Sequence, residues 1–251
     1  MTTVVHLTRA EIRKLATSWS YLIAVAVSIG LAVMSVAVDA IVAGRNGTPP
    51  LGTTASTDQM LKLGPVCCVA MLIVGIVAAG GEYRHKTIIP AVLIAPRRHG
   101  LVLAKAIAVA LGGALLSAVT FGLGLATAIV ALAIHHLHDL PSATGHLYAG
   151  SVITGTLFGL IGTALGYITR NTIVAAAAAV GWVLFGELAI LHTVIPHQAK
   201  WLITGAAVAL TDPTSPAGSV LGPVTAVAVL IGYAAALLAA ASGLVLCRDV
   251  A

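Results

Sequence analysis

The residues of this chain that could do chemistry are few, and the densest group of charges lies in one short stretch. Gly81 to Gly100, GEYRHKTIIPAVLIAPRRHG, separates two long apolar segments. Its charged side chains are Glu82, Arg84, Lys86, Arg97 and Arg98. Each Arg or Lys costs about 2.5–3.5 kcal/mol at the centre of a membrane helix, so the stretch is predicted to be a loop at the membrane surface. Short loops rich in cations face the cytoplasm. The chemistry indicated is ion pairing and docking.

This loop is predicted to contain a short helix with an apolar face. Thr87 can cap the helix, Pro90 falls in its first turn where a missing N–H does no harm, and Pro96 ends it. The apolar face of these two turns holds Ile88, Ile89, Val92 and Leu93. Such a helix, flanked by cations, is predicted to dock into the lipid interface or into a groove on a partner.

Two carboxylates near the membrane are further candidates. Glu82 marks the inner end of a predicted span and is predicted to pair with Arg84 or another inner arginine. Glu187 lies about 15 residues from the inner end of another span, roughly 22 Å into a core about 30 Å thick. Intramembrane carboxylates usually face a bundle interior or a watery cavity. Glu187 is therefore predicted either to bind a cation in a substrate path or to be hydrated near the outer interface.

Histidines are concentrated in the predicted outer segments, but they do not predict a metal site. They are His135, His136, His138, His146, His192 and His197. The run from His136 to Asp139 supplies donor types that metals accept, yet no Cys joins it and we predict no functional metal. The chain has no G-x-S-x-G or H-E-x-x-H motif for catalysis. It also has no G-x-x-x-x-G-K-[ST] run, so we do not expect it to hydrolyse ATP itself.

The elements that must position these residues are membrane spans. The chain has 251 residues, of which 59% are hydrophobic and 8% charged, against about 25% charged in a soluble domain. This composition predicts an integral membrane protein. The net charge of +5 does not indicate nucleic-acid binding, because the cations follow the topology. Cys67, Cys68 and Cys247 form no framework and are predicted to be buried thiols.

Hydropathy predicts an all-α protein with six membrane-spanning helices in one transmembrane domain over 1–251. The spans cover about 21–43, 60–80, 101–134, 147–169, 172–194 and 223–247. With both ends in the cytoplasm, ten Lys and Arg residues lie inside and three outside, which is a clear positive-inside bias. The third span exceeds what the core needs, so it is predicted to begin in the cytoplasm with Lys105 extending back to water.

Two shorter helices are predicted beside the spans. Residues 5–19 are predicted to form an amphipathic helix on the cytoplasmic surface, with Thr8 to Glu11 as a capping box; the alternative is a simple polar flank. Its shared face would hold Val5, Ile12, Leu15 and Trp19. Trp201 to Leu210 is too short to span and is predicted to be a re-entrant or surface helix on the outer side.

The fourth predicted span has a smooth face. Gly155, Gly159, Gly162 and Gly166 recur at i, i+4, i+7 and i+11. Small residues at this spacing let helix backbones approach closely. The pattern predicts packing within the chain, with a dimer contact as the alternative.

The loop sequence resembles a known family. GEYRHKT, an apolar run, APRR and then Lys105 are similar to the first cytoplasmic loop of the type-2 ABC exporter permeases. In that family the loop carries a coupling helix that sits on a separate ATPase subunit. The resemblance covers nearly the whole chain, including the outer helical excursion before the last span. It implies that the residues coupling to the ATPase are Glu82, Tyr83, Arg84, Thr87, Ile88, Ile89, Val92, Leu93, Arg97 and Arg98.

The resemblance also implies a function. The chain would be the permease subunit of an ATP-driven exporter in the plasma membrane, paired with a second identical or related permease and with ATPase subunits that bind ATP and Mg. It would itself hold no cofactor and bind no nucleic acid. Spans with few polar side chains favour a lipophilic cargo such as a drug, antibiotic, peptide or lipid. The alternatives are a stand-alone carrier or channel, and a non-transporting membrane anchor.

Overall fold

A computed structural model describes residues 2–45, 47–84, 98–137, 144–186, 198–212 and 220–247 of the chain. Every regular element in these ranges is a helix, which confirms the all-α prediction. Five of the helical segments are long and apolar enough to cross a membrane. The chain is therefore a multi-pass membrane protein in its architecture.

The helices are numbered here in chain order. They are α1 Thr2–Thr17, α2 Trp19–Val42, α3 Thr54–Met60, α4 Gly64–Arg84, α5 Arg98–Ile134, α6 Thr144–Thr169, α7 Thr172–Gly181, α8 Ile203–Thr211 and α9 Pro223–Cys247. A π-helical turn continues α7 to Gly186, and a short 3-10 turn precedes α8. The five candidate spans are α2, the α3–α4 segment, α5, α6 and α9.

The structure shows five candidate spans in the described residues rather than the six predicted. The fifth predicted span, 172–194, begins as α7, which has 10 residues. At 1.5 Å per residue this helix is about 15 Å long, half the thickness of a hydrocarbon core. The π-helical turn lengthens it only to Gly186, and residues 187–194 lie outside the described ranges.

Two local predictions near the ends of helices are wrong. The capping box proposed for Thr8 to Glu11 does not exist, because α1 begins at Thr2 and Glu11 lies well inside it. The stretch 44–59 is rich in Gly, Pro, Thr and Ser, a composition that predicts an outer loop. It contains α3 instead, whose N-cap Thr53 accepts a hydrogen bond from the Ser56 backbone N–H at 3.3 Å. Thr and Ser are common in loops, but they also cap helices.

The glycine face of α6 packs against its neighbours within the chain. A Cβ added at Gly162 would clash with the Leu72 carbonyl of α4, and one added at Gly166 would lie 2.7 Å from the Ile76 carbonyl. A Cβ at Gly155 would clash with the Ser117 hydroxyl of α5. The absence of side chains therefore brings the α4 and α6 backbones into direct contact at the centre of the bundle.

The remaining helices surround this central pair. α1 lies along α5, α2 contacts α5 and α4, and α9 packs on α6 and α8. Large apolar side chains on α2, α5 and α9 point away from the bundle, as in a protein surrounded by lipid. They include Leu22, Val27, Met34, Leu111, Leu115, Val130, Val224 and Ile231.

Candidate functional site

Four charged residues from three helices meet at the end of the bundle where α4 ends and α5 begins. Lys105 Nζ of α5 lies 2.5 Å from Glu11 Oε2 of α1 and 2.9 Å from Glu82 Oε1 of α4. Lys14 Nζ of α1 lies 2.6 Å from Glu11 Oε1 and 3.5 Å from Glu82 Oε1. We call these four residues the ionic cluster, and this end of the bundle the loop end.

The four residues of the ionic cluster meet because of where each one lies along its helix and on which face. Glu82 lies two residues before the end of α4, and Lys105 lies two turns after the start of α5. The two residues therefore stand on either side of residues 85–97 at about the same height. Glu11 shares a face of α1 with Leu7 and Leu15, four residues before and after it. That face is turned toward α5, so the carboxylate lies over Lys105.

Three members of the cluster are almost completely buried. Glu11 is 4% exposed, Glu82 6% and Lys105 4%. A buried charge is costly unless it is paired and hydrogen-bonded. Lys105 meets this condition, because its ammonium group also donates to the Ala78 carbonyl at 3.1 Å and so has three acceptors. The cluster thus fastens α1 to α4 and α5 through pairs that break only at high cost.

Electrostatics keep the two α1 members of the cluster, Glu11 and Lys14, charged. Burial acts to raise the pKa of Glu11, but the ammonium groups of Lys105 and Lys14 outweigh it, so its pKa lies below the ordinary value of 4.5. Burial acts to lower the pKa of Lys14, but hydrogen bonding and attraction from Glu11 and attraction from Glu82 raise it above 10.5. Both groups are therefore ionised at neutral pH.

Tyr83, the neighbour of Glu82, makes a second set of contacts at the loop end. Its ring lies 5.2 Å from the guanidinium carbon of Arg170 and packs edge-to-face on Tyr167, with ring centroids 6.3 Å apart. Arg170 lies in the turn between α6 and α7 and has a left-handed φ of 54°. The last turn of α4 is therefore joined to α1 and α5 through Glu82, and to α6 and the α6–α7 turn through Tyr83.

A different ion pair lies at the opposite end of α4. Lys62 Nζ is 2.9 Å from Asp212 Oδ1, just beyond α8. Thr211 sits so close to Gly64 that a Cβ on the glycine would clash with it. This end, which we call the far end, holds α8 against the start of α4.

Only part of the predicted loop site falls within the described residues. Glu82 and Tyr83 lie in the ionic cluster and in the aromatic contact beside it. Arg84 is the last residue of α4 and Arg98 the first of α5. The other predicted coupling residues and the intramembrane carboxylate lie outside the described ranges: Thr87, Ile88, Ile89, Val92, Leu93, Arg97 and Glu187.

The partners of Glu82 differ from the prediction. We predicted an arginine, and the structure shows Lys105 and Lys14. Lys105 was predicted to extend to water, yet its ammonium group is covered by α1. The signal that could have revealed this is the single carboxylate, Glu11, on an otherwise apolar face of α1, because such a residue requires a buried cation.

The predicted thiols and histidines add no second site to the described part of the chain. Cys67 and Cys68 are buried free thiols. No group of three or more His, Cys, Asp or Glu residues in the described ranges is arranged to hold a metal ion. His138, His192 and His197 lie outside those ranges.

Comparisons with known proteins leave the family open. No protein-family model matches the chain, and no curated protein matches it.

Proposed function

We propose that the chain is the permease subunit of a type-2 ABC exporter. The observation that carries the proposal is the set of contacts at the last turn of α4, which leads directly into residues 85–97. Glu82 connects this turn to α1 and α5, and Tyr83 connects it to α6 and the α6–α7 turn. A push on residues 85–97 by a soluble partner would be passed to these helices through side chains already in contact.

The remaining architecture is proposed to follow the same family. α1 lies on the cytoplasmic surface, α7 begins a sixth span, and α8 is a re-entrant helix on the outer side. Both chain ends face the cytoplasm, which agrees with the ten-to-three distribution of Lys and Arg. The exposed apolar face of α1, with Val5 and Ile12 and the adjoining Trp19, supports its position at the membrane surface.

Energy would come from a separate subunit. The chain has no P-loop motif of its own, so ATP and Mg would be bound by an ATPase docked on residues 85–97. Two permease chains, identical or related, would enclose the transport path in the plasma membrane.

The cargo is proposed to be lipophilic. A cavity of about 250 Å³ lies between α4, α6, α7 and α9, and its lining is almost wholly apolar, with Leu72, Phe158, Ile161 and Leu165 on its walls. An apolar wall of this kind suits a drug, a peptide with apolar side chains or a lipid better than a sugar or an ion.

The test is co-purification from the native membrane. We expect a tagged chain extracted in mild detergent to retain a soluble polypeptide with a P-loop in a fixed ratio, identified by mass spectrometry. The double variant Arg97→Glu/Arg98→Glu should lose that polypeptide while the chain still inserts. Arg45→Glu/Lys200→Glu, which reverses two charges elsewhere, should retain it.

The opposite outcome would favour one of the two alternatives. A chain that purifies alone and monodisperse is not an exporter subunit, and the choice is then between a stand-alone carrier and an anchor. Transport by the reconstituted chain alone that falls in Glu187→Gln would identify a carrier. If neither the reconstituted wild type nor Glu187→Gln transports, the chain is a non-transporting membrane anchor.

A further inference from the structure

Two depressions adjoin at Lys14 on the loop end of the bundle. The first, of about 420 Å³, lies between α1, α2 and α4 and is bordered by the ionic cluster. The second, of about 520 Å³, runs along α1. Lys14 lines both, and its side chain is 56% exposed. Lys14 therefore lies between the two depressions, which we together call the groove.

The part of the groove along α1 is cationic. Its lining residues are His6, Arg9, Ala10, Arg13, Lys14 and Thr17, with no carboxylate among them. His6, Arg9 and Arg13 are exposed, and neither arginine has an ion-pair partner of its own among the described salt bridges. Guanidinium groups bind phosphate oxygens in a bidentate manner. This surface is built to receive an anion with several oxygens.

The part beneath α1 is apolar on one wall. Ile73, Val74 and Val77 of α4 and Leu15 of α1 line it. They face a space that begins beside Lys14 and continues along α4 toward the bilayer centre. An occupant that satisfies both parts must have an anionic head and an apolar tail.

The level at which α1 lies in the bilayer indicates which kind of molecule would bind in the groove. The flank of α1 away from the groove exposes Val5 and Ile12, and Trp19 follows it at 79% exposure. Apolar and aromatic residues in this arrangement lie at the level of lipid headgroups. Phosphates and acyl chains are both present at that level, and basic pockets on this side of membrane proteins bind anionic headgroups.

We propose that this groove is a binding site for an anionic phospholipid. Its phosphodiester lies on Arg9, Arg13 and Lys14, and one acyl chain lies against Ile73, Val74 and Val77. The bound lipid holds α1 on the bundle next to the ionic cluster. The site does not depend on the exporter function, because any membrane protein with this groove would meet the same lipids.

Native mass spectrometry of the full chain tests the headgroup part. The purified protein is offered dioleoyl phosphatidylglycerol and dioleoyl phosphatidylcholine, which share their acyl chains. We expect preferential retention of phosphatidylglycerol, and a fall in that preference of about fivefold for each of Arg9→Gln and Arg13→Gln. Arg45→Gln and Lys200→Gln remove the same charge elsewhere and should leave the preference unchanged. Equal retention by the wild type, or an equal fall in the controls, would overturn the proposal.

A second experiment tests the acyl part. Val77→Trp fills the apolar wall and should reduce retention of both lipids, whereas Val27→Trp, on the exposed face of α2, should not. Glycerol phosphate, which has no acyl chain, should fail to displace phosphatidylglycerol at equal concentration. Displacement by glycerol phosphate would show a simple anion site and overturn the lipid assignment.

A measurement on the wild type keeps the test independent of any folding defect. Phosphatidylglycerol with a photoreactive diazirine in its acyl chain should label the peptide containing Ile73, Val74 and Val77. Labelling of α2 and α9 alone, with none on α4, would place the lipid elsewhere and refute the proposal.

Discussion

Lys105 and Glu82 form an ion pair at 2.9 Å between the start of α5 and the end of α4. The two residues flank the segment 85–97, so their pair closes the base of the helical hairpin that carries it. Because Glu11 binds the same ammonium group, the closure includes α1. One buried ammonium group therefore joins α1 to the base of the α4–α5 hairpin.

The first prediction concerns this pair. Lys105→Met should destabilise the protein by about 3–5 kcal/mol, because it leaves two buried carboxylates with only the half-exposed Lys14 as a cation. Unfolding by a denaturing detergent, followed by circular dichroism, measures the change. Lys105→Met combined with Glu11→Gln and Glu82→Gln should recover part of the loss, since no buried charge is then left without its cation.

The pair at the far end supplies a matched control. Lys62→Met removes the partner of Asp212, but both side chains are partly solvated, at 32% and 26% exposure. The loss in the free energy of unfolding caused by Lys62→Met should therefore stay within about 1 kcal/mol. Equal costs for Lys105→Met and Lys62→Met would contradict the importance given to burial at the loop end.

Much of this architecture follows from local sequence. Long apolar runs bounded by charges predict α2, α5, α6 and α9, and α9 has the bounds predicted for the last span, 223–247. The spacing of small residues identifies the face of α6 that approaches another helix. Which helix it meets cannot be obtained this way, because the spacing describes one surface and not its partner.

The ionic cluster shows where local sequence is insufficient. Glu11 and Lys105 are 94 residues apart, and nothing near either residue specifies the other. The spacing of Glu11 from Thr8 fits a capping box, whereas the helix begins a turn and a half earlier, at Thr2. Likewise α7 is as apolar as a span, yet the structure breaks its α-helical geometry at Trp182, and composition does not reveal that change.

The second prediction concerns the contact between α4 and α6. Gly162→Ala should destabilise the protein by about 1–3 kcal/mol, because the new methyl group would overlap the Leu72 carbonyl and force the backbones apart. Gly232→Ala in α9 meets open space and should be neutral or stabilising by up to about 1 kcal/mol. Thermal unfolding in the same detergent compares the two. A neutral Gly162→Ala would show that the backbones are not in direct contact.

The third prediction concerns pH. The pKa of Glu11 is below 4.5, so its contribution to docking of α1 is complete above that value and is lost as the pH falls through the lowered pKa. The pKa of Lys14 is above 10.5, so its contribution is complete below that value and is lost as the pH rises through the raised pKa. Docking should therefore be constant across neutral pH and weaken at both extremes.

A spin label on α1 can measure this dependence. Attached at Thr17→Cys in a Cys247→Ser background, it should become more mobile only in acid below pH 4.5, as the pH falls through the lowered pKa of Glu11. Glu11→Gln should show high mobility at neutral pH and no acid transition. An acid transition of unchanged midpoint and size in Glu11→Gln would show that protonation of Glu11 does not cause the undocking.

The last prediction separates the two roles of Arg170. Its left-handed φ of 54° costs a residue with a Cβ about 1–2 kcal/mol, while its guanidinium group lies on the Tyr83 ring in a contact of about 0.5–1 kcal/mol. Arg170→Ala should lose the ring contact and keep the strain, so it should be less stable than the wild type. Arg170→Gly loses the same contact but relieves the strain, so it should exceed Arg170→Ala by about 1 kcal/mol in the free energy of unfolding. Equal stabilities of Arg170→Ala and Arg170→Gly would mean that the turn relaxes and stores no strain. The ring contact is checked separately in a Tyr83→Leu background, where Arg170→Ala should cost less stability than it does in the wild type.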